Sequence, residues 1–265
     1  MLPRMFTSDY DFGYSWWMTW GHLIPFVGFG LLALVAWRLG WWRSLVVASA
    51  AMAMWGLAGY VIMQDALGIN RPLTIPARFL SSGSGRVLDM GAGSGRATVG
   101  VLVSRPNSSV VSLDIYKGYW GIDDNTPERL KRNASAAGAA ARVDVRVGDM
   151  REIPFPDASF DGAISSFAID HLRPDDAGKA LREAARVLKP GGQMLVLNIG
   201  LDGYIRVALP TLHGHGYFGR EQATERWRSA LTDAGFDVVE IGRQPGTIYF
   251  LGEKKALTSV ARQAS

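Results

Sequence analysis

Apolar residues are arranged along this chain in two different ways. From Phe12 to Trp37 there are 26 consecutive residues without Asp, Glu, Lys or Arg, and a second uncharged stretch of 21 runs from Ser44 to Gln64. A helix rises about 1.5 Å per residue and a bilayer's hydrocarbon core is about 30 Å thick, so each stretch predicts a membrane-spanning helix. From Arg86 onward the pattern changes to short β-branched runs alternating with segments of helical period, which predicts an α/β domain with a largely parallel sheet. Strands are expected near 86–90, 110–115, 143–147, 160–166, 193–199, 237–242 and 246–251. Helices are expected near 95–104, 126–137, 176–188 and 222–234, the second opening at Thr126-Pro127 and the third stopping at Lys189-Pro190-Gly191-Gly192. The last two strands are separated only by Gln244-Pro245-Gly246 and are expected to pair antiparallel.

The organisation read from this pattern is a membrane anchor over 1–68 with helices at about 12–37 and 44–64, a linker over 69–85, the α/β domain over 86–254 and a tail over 255–265. Trp16, Trp17 and Trp20 sit at one end of the first helix, and Trp37, Trp41 and Trp42 surround the turn. Indole rings favour the headgroup level, so this predicts a hairpin with two aromatic belts. A signal peptide would have a basic start and a shorter apolar core, unlike Arg4 beside Asp9 and Asp11. Arg38 and Arg43 lie in the turn, while Arg4, Arg71, Arg78 and Arg86 lie on the other side, which places both chain ends in the cytoplasm and the protein at the cell membrane. Ser81-Ser82-Gly83-Ser84-Gly85 is expected to make the linker flexible.

Seven of the nine tryptophans precede residue 56. The formal charge of +4 forms no dense basic run, which argues against nucleic acid and leaves anionic headgroups as its natural partner. There is no cysteine, so disulfides, thiolate metal sites and a cysteine nucleophile are excluded.

The sharpest motif is Val87-Leu88-Asp89-Met90-Gly91-Ala92-Gly93-Ser94-Gly95, a strand entering three alternate glycines ahead of a helix. Glycine permits a tight turn and lets a ligand approach the main chain. A dinucleotide fingerprint needs G-x-G-x-x-G, but that spacing puts Arg96 or Thr98 where the third glycine belongs. Val110-Val111-Ser112-Leu113-Asp114 ends a second strand 25 residues after Asp89, and Gly148-Asp149-Met150 closes the third. The runs Ile153 to Asp161 and Leu181 to Gly192 complete the ordered set.

Together these segments resemble class I S-adenosylmethionine-dependent methyltransferases, most closely the UbiE-like (type 11) branch that methylates quinones, lipids and small metabolites. The resemblance covers residues 86–198 well and the last strands more loosely. It implies a Rossmann-like seven-stranded sheet with the last strand antiparallel and helices on both faces, preceded by the two transmembrane helices. It implies S-adenosyl-L-methionine as cofactor, with Asp89 at the methionine end and Gly91, Ala92, Gly93 and Gly95 on the ribose side. By the same resemblance Asp114 and Ile115 meet the ribose, Gly148, Asp149 and Met150 meet the adenine, and Ser165 lines the pocket. Ile115 to Asp124 is longer than the family's usual connection, so Asp123 or Asp124 shares or replaces the ribose role of Asp114, or the segment is a packed surface loop.

The implied reaction is methyl transfer to a small-molecule or lipid-like acceptor, with the bilayer as the protein's other partner. Histidine titrates near neutrality, so His171 with Asp170 after strand four is the candidate catalytic pair, with helix capping or packing as the competing role. His213 and His215 lie in a glycine-rich segment expected to be a lid, and no metal site is expected there. A cofactor-binding sensor or scaffold without turnover is the alternative function. Aminopropyl transfer is disfavoured, because that chemistry's loop runs G-G-G-D-G.

Overall fold

The computed structural model describes residues 9–118, 121–200 and 220–255. Three helices come first: α1 (Trp16–Trp20), α2 (Leu23–Arg38) and α3 (Arg43–Val61), the last continuing through a π-helical turn, Ile62–Ala66. The domain that follows runs β1 (Ser84–Met90), α4 (Arg96–Ser104), β2 (Asn107–Asp114), α5 (Pro127–Ala136), β3 (Val143–Val147), β4 (Phe160–Ser166), α6 (Pro174–Val187), β5 (Leu188–Ile199), α7 (Arg220–Asp233), β6 (Phe236–Gln244) and β7 (Thr247–Lys254). The seven strands form one sheet in the order β3-β2-β1-β4-β5-β7-β6. β7 is antiparallel to both neighbours and the other pairings are parallel, as the sequence predicts.

Two apolar clusters cover the faces of the sheet. One joins Leu88, Phe160, Leu181, Val196 and Phe250, the other Phe79, Val87, Leu102, Ile164 and Leu251. α5 starts where Thr126 accepts from the Arg129 N–H at 3.4 Å and Pro127 occupies the first turn, where its missing N–H costs no hydrogen bond. The end of α6 differs in detail from the expected stop. The helix ends at Val187 and β5 already begins at Leu188, so the Pro-Gly-Gly run lies inside a strand whose pairing shifts between Phe160 and Gly162. A bulge accommodates the residues that cannot pair.

The anchor departs further from expectation. Residues 9–15 are not helical: Phe12 is fully buried, and Asp11 and Gly13 lie against the α/β domain. Among the described residues one helical stretch, Arg43–Asp65, is long and apolar enough to cross a bilayer. α2 has 16 residues, about 24 Å, which is short of a span by itself. Pro25 is the physical reason for its late start, since it has no N–H to return to the Gly21 carbonyl and Ile24 closes a tighter turn there instead, at 3.2 Å.

The linker is also tighter than its composition suggests. Ile69, Leu73, Ile75 and Phe79 are buried. The Arg105 guanidinium, itself 8% exposed, donates to the carbonyls of Pro76, Ala77, Phe79 and Leu80 at 2.8–3.2 Å. Four buried apolar side chains and four carbonyls bound by Arg105 hold a segment whose serine and glycine content alone reads as slack.

Candidate active site

Parallel strands bring the C-terminal ends of β1, β2, β3 and β4 to one edge of the sheet, where open α/β folds bind ligands. The glycine loop follows β1 at this edge. Gly91, Gly93 and Gly95 all have positive φ (80°, 52° and 88°), the region other residues enter at a cost. Space imposes a second constraint. A Cβ on Gly91 would fall 2.4 Å from the Ala168 Cβ and 2.8 Å from the Met150 Cε, and one on Gly95 would fall 2.7 Å from Leu130. The loop therefore packs directly against the turns that follow β3 and β4. Ala92 is buried between the glycines.

Asp114 lies beside this loop. Its Oδ2 accepts from the Gly93 N–H at 2.9 Å and its Oδ1 from the Tyr116 N–H at 2.6 Å. A carboxylate offers about four lone-pair positions, so each oxygen retains one for a ligand hydroxyl. Asp89 is fully buried below the loop. Its Oδ2 accepts from the Thr98 hydroxyl at 2.6 Å, Thr98 meets Ser112 at 2.7 Å, and Oδ1 has no partner. Burial pushes the Asp89 carboxyl up to about 7, against the opposing pull of the Thr98 hydrogen bond and with the Asp114 charge adding to the rise.

Met150 reaches Gly91, as the contact above shows, and Gly148 packs on Leu113. Asp149 is bound by its own neighbour: Arg151 donates Nε and an NH2 group to its carboxylate at 2.6–3.1 Å and also reaches Asp176 at 3.2 Å. That hydrogen bond holds the Asp149 carboxyl below its usual range despite partial burial. Ile115 is exposed at the end of β2. Ser165 is placed differently from its neighbours, because its fully buried hydroxyl donates to the Met90 carbonyl at 2.9 Å and ties β4 to β1 inside the sheet. Asp170 and His171 form a single 3-10 turn, Ile169–His171, directly after the Ala168 that touches Gly91. His213 and His215 lie outside the described residues.

Residues 121–125 of the long connection after β2 are docked against the chain that precedes α1 and against α5. Asp124, with φ of 51°, pairs with Arg129 at 3.5 Å, and the Asp123 N–H donates to the Gly13 carbonyl at 2.6 Å. The partner is the strap Asp11–Ser15 that precedes α1. Ser15 donates its N–H to the Gly121 carbonyl at 3.0 Å, and Tyr14 bridges to Ile122. Asn133 on α5 exchanges two 2.8 Å bonds with Asp11 and donates to the Ser94 carbonyl at 2.9 Å. At the other end of the hairpin, Arg96 donates to the carbonyls of Leu67, Gly68 and Arg71. Asn133 and Arg96 are not legible from motif spacing. The visible signal was only a lone asparagine on an otherwise charged helix, and an arginine at the helix start after the glycines.

Residues 87–192 match the family described as methyltransferase domain. This segment is a methyltransferase domain. Curated relatives of the domain include O-methyltransferase resE of Aspergillus sclerotiorum, 27% identical over 168 residues, which cover 63% of this chain and 60% of the relative. Another is the ubiquinone/menaquinone biosynthesis C-methyltransferase UbiE of Geotalea daltonii, 29% identical over 46% of this chain and 48% of the relative. The chain thus spans three-fifths or less of the length of these relatives. Among solved structures, an S-adenosyl-L-methionine-dependent methyltransferase of Methanococcus maripaludis superimposes with a TM-score of 0.55 at 20% identity, over 80% of this chain and 94% of that one. An O-methyltransferase family 2 protein of Planctomyces limnophilus, in complex with apigenin, gives 0.53 at 20% identity, over 80% of this chain and 69% of that one. At such identity these two likenesses speak for the fold of the methyltransferase domain.

Proposed function

We propose that this protein is a membrane-anchored S-adenosylmethionine-dependent methyltransferase that acts on a small-molecule or lipid-like acceptor at the cytoplasmic face of the cell membrane. The observation that carries the reading is the cradle at the sheet edge: three glycines at positive φ, with Asp114 bonded to the middle one through its main chain. The fit to the cofactor is chemical. The free lone pairs of Asp114 suit ribose hydroxyls, Met150 against Gly91 offers an apolar wall for a flat ring, and the orphaned Asp89 oxygen suits a cationic amine.

When bound, S-adenosylmethionine supplies a methyl group already activated by its sulfonium, so the reaction needs no covalent nucleophile from the protein. The chain's part is to hold and align the reactants and to keep water out. Asp114 and the glycine loop fix the cofactor side. Asp149, oriented by Arg151, lies at the end of β3 where an adenine amine would be met. His171, in the turn after β4, takes a proton from an acceptor that must lose one, with Asp170 beside it. The relatives named above include O- and C-methyltransferases, which fits a small-molecule acceptor and leaves the accepting atom open between oxygen and carbon.

Anchoring rests on the hairpin. Gly21 and His22 form a turn between α1 and α2, and both keep right-handed φ, −54° and −68°, so no left-handed residue interrupts the chain from Trp16 to Arg38. We read α1, this turn and α2 together, 23 residues or about 34 Å at helical rise, as a second span beside Arg43–Asp65, which among the described residues is the one stretch long and apolar enough by itself. Arg38 and Arg43 flank the turn, and Trp16, Trp17, Trp20, Trp37, Trp41 and Trp42 are all exposed near the two ends.

The test uses the full chain in lipid nanodiscs with S-adenosylmethionine carrying a labelled methyl group, offered a membrane-lipid extract and an aqueous metabolite extract. Label should enter a lipid-extract product with stoichiometric S-adenosylhomocysteine. Binding without any S-adenosylhomocysteine from either extract would identify a sensor or scaffold. Absence of cofactor binding would overturn the reading altogether.

A further inference from the structure

The segment between β2 and α5 carries polar atoms for which the fold provides no partner. The Tyr116 hydroxyl and the Asn125 Oδ1 are buried with no hydrogen bond, although such groups are almost always satisfied in folded proteins. Asn125 lies against the glycine loop, and Tyr116 is joined to it through Asp114, whose carboxylate binds the N–H of both Tyr116 and Gly93. The Asn125 Oδ1 stands 3.8 Å, and the Ile122 Cδ1 3.4 Å, from where a Cβ on Gly93 would project. Tyr116 is turned inward at φ of 49°, a conformation unusual for a tyrosine, and its N–H is held by Asp114 at 2.6 Å. A strained backbone and an orphaned hydroxyl at one residue are a poor arrangement for stability alone, and such features cluster at ligand sites.

We propose that Tyr116 and Asn125 are cofactor-binding residues, supplied by this extended connection to the ribose side of the pocket, and that the strap Asp11–Ser15 is the positioning element that holds them there. The proposal rests on the S-adenosylmethionine reading above. Ribose hydroxyls both donate and accept, so they match the pair: the phenol donates and the amide oxygen accepts. The phenol stays protonated, because burial and the nearby charges of Asp114, Asp89 and Glu128 all push its ionisation upward. The strap reaches this connection through Gly13 to Asp123, Ser15 to Gly121 and Tyr14 to Ile122, and it reaches the glycine loop through Asn133 to Ser94. Because the strap is continuous with α1, the element that holds this connection and the start of the hairpin form one piece of chain.

The experiment measures S-adenosylmethionine and S-adenosylhomocysteine binding by calorimetry on the full chain in nanodiscs, and thermal unfolding without ligand, for wild type, Tyr116→Phe, Asn125→Leu and Asp11→Ala. Each of the first two should weaken binding about tenfold, the size of one hydrogen bond to a buried partner. Their unliganded melting points should stay level or rise, since each removes a buried unsatisfied group. The same loss should appear with methylthioadenosine, which keeps the ribose and lacks the amino-acid end. Asp11→Ala should weaken binding through the strap, and adding Tyr116→Phe to it should cost less than tenfold further. Unchanged affinity in Tyr116→Phe and Asn125→Leu, with wild type binding normally, overturns this inference alone. Lost affinity accompanied by a clearly lower unliganded melting point also overturns it, by showing a structural role. Failure of wild type to bind overturns the cofactor reading and this inference with it.

Discussion

In the sheet domain the large apolar side chains face inward, and in the α2–α3 hairpin they face outward. Phe79, Phe160, Phe236 and Phe250 are fully buried around the sheet. Between the hairpin helices the buried residues are Ala36, Ser49, Ala53, Gly56 and Gly59, while Leu31, Val47 and Met54 are each 58–68% exposed. Gly56 is required by close approach, since a Cβ there would fall 2.7 Å from the Phe26 N and 2.8 Å from the His22 O. In water burial of large residues stabilises, whereas lipid removes that drive and leaves close backbone packing over small residues to join helices. On the proposed reading, the inversion suits the hairpin to lipid and the sheet domain to water.

The largest effect should come from the domain core. Phe250→Ala is expected to cost about 3–5 kcal/mol in a denaturant melt of the nanodisc-bound protein, against less than about 0.5 for Leu31→Ala on the outer hairpin face. Equal costs would dissolve the contrast. Next in size is the buried charge of the domain. The folded Asp89 carboxyl titrates near 7 and an unfolded aspartate at 3.8, so the folded state binds the extra proton between those values. Stability from this group is therefore present below about pH 4 and declines as pH rises through 7, by on the order of 4 kcal/mol. Asp89→Asn should flatten that decline in cofactor-free melts from pH 4 to 8, and matching slopes for the two proteins would refute it.

A matched pair of exposed residues then separates lipid from water. Leu31→Arg should oppose insertion by about 2.5–3.5 kcal/mol and move protein out of the carbonate-resistant membrane fraction. Val147→Arg, at a similarly exposed position on the edge strand β3, should change stability by about 0.5 kcal/mol or less. The smallest contrast compares two glycines. Gly91→Ala meets both positive φ and Ala168, and should cost about 1–3 kcal/mol together with most cofactor affinity by calorimetry. Gly28→Ala has open space on α2 and should be neutral or stabilising by up to about 1 kcal/mol.

Much of the domain was legible because its signals are local. β3 and β4 fall where the β-branched runs put them, α5 begins at its Thr126-Pro127 cap, and the Gln244-Pro245-Gly246 turn makes β6 and β7 antiparallel. The glycine loop and Asp114 meet as the motif order implies. Other assignments required contacts across the chain. Ser165 reads as a pocket residue by position, and only the fold adds that its hydroxyl donates to the Met90 carbonyl of a neighbouring strand. The uncharged run beginning at Phe12 reads as helix, yet in its first residues Gly13 and Ser15 pair with Asp123 and Gly121, which lie more than a hundred residues away.

The sequence by itself determined the alternation of strands and helices, the glycine cradle with its acidic partners, and two long uncharged stretches, because periodicity, cap residues and glycine's backbone freedom act over a few residues. Only the tertiary structure decided that the linker is a packed segment caged by Arg105, that the chain before α1 is a strap, and that both ends of the hairpin are gripped beside the glycine loop by Asn133 and Arg96. Those outcomes depend on which distant carbonyls and amides need partners once the chain is compact, and unpaired buried groups are costly enough to settle them.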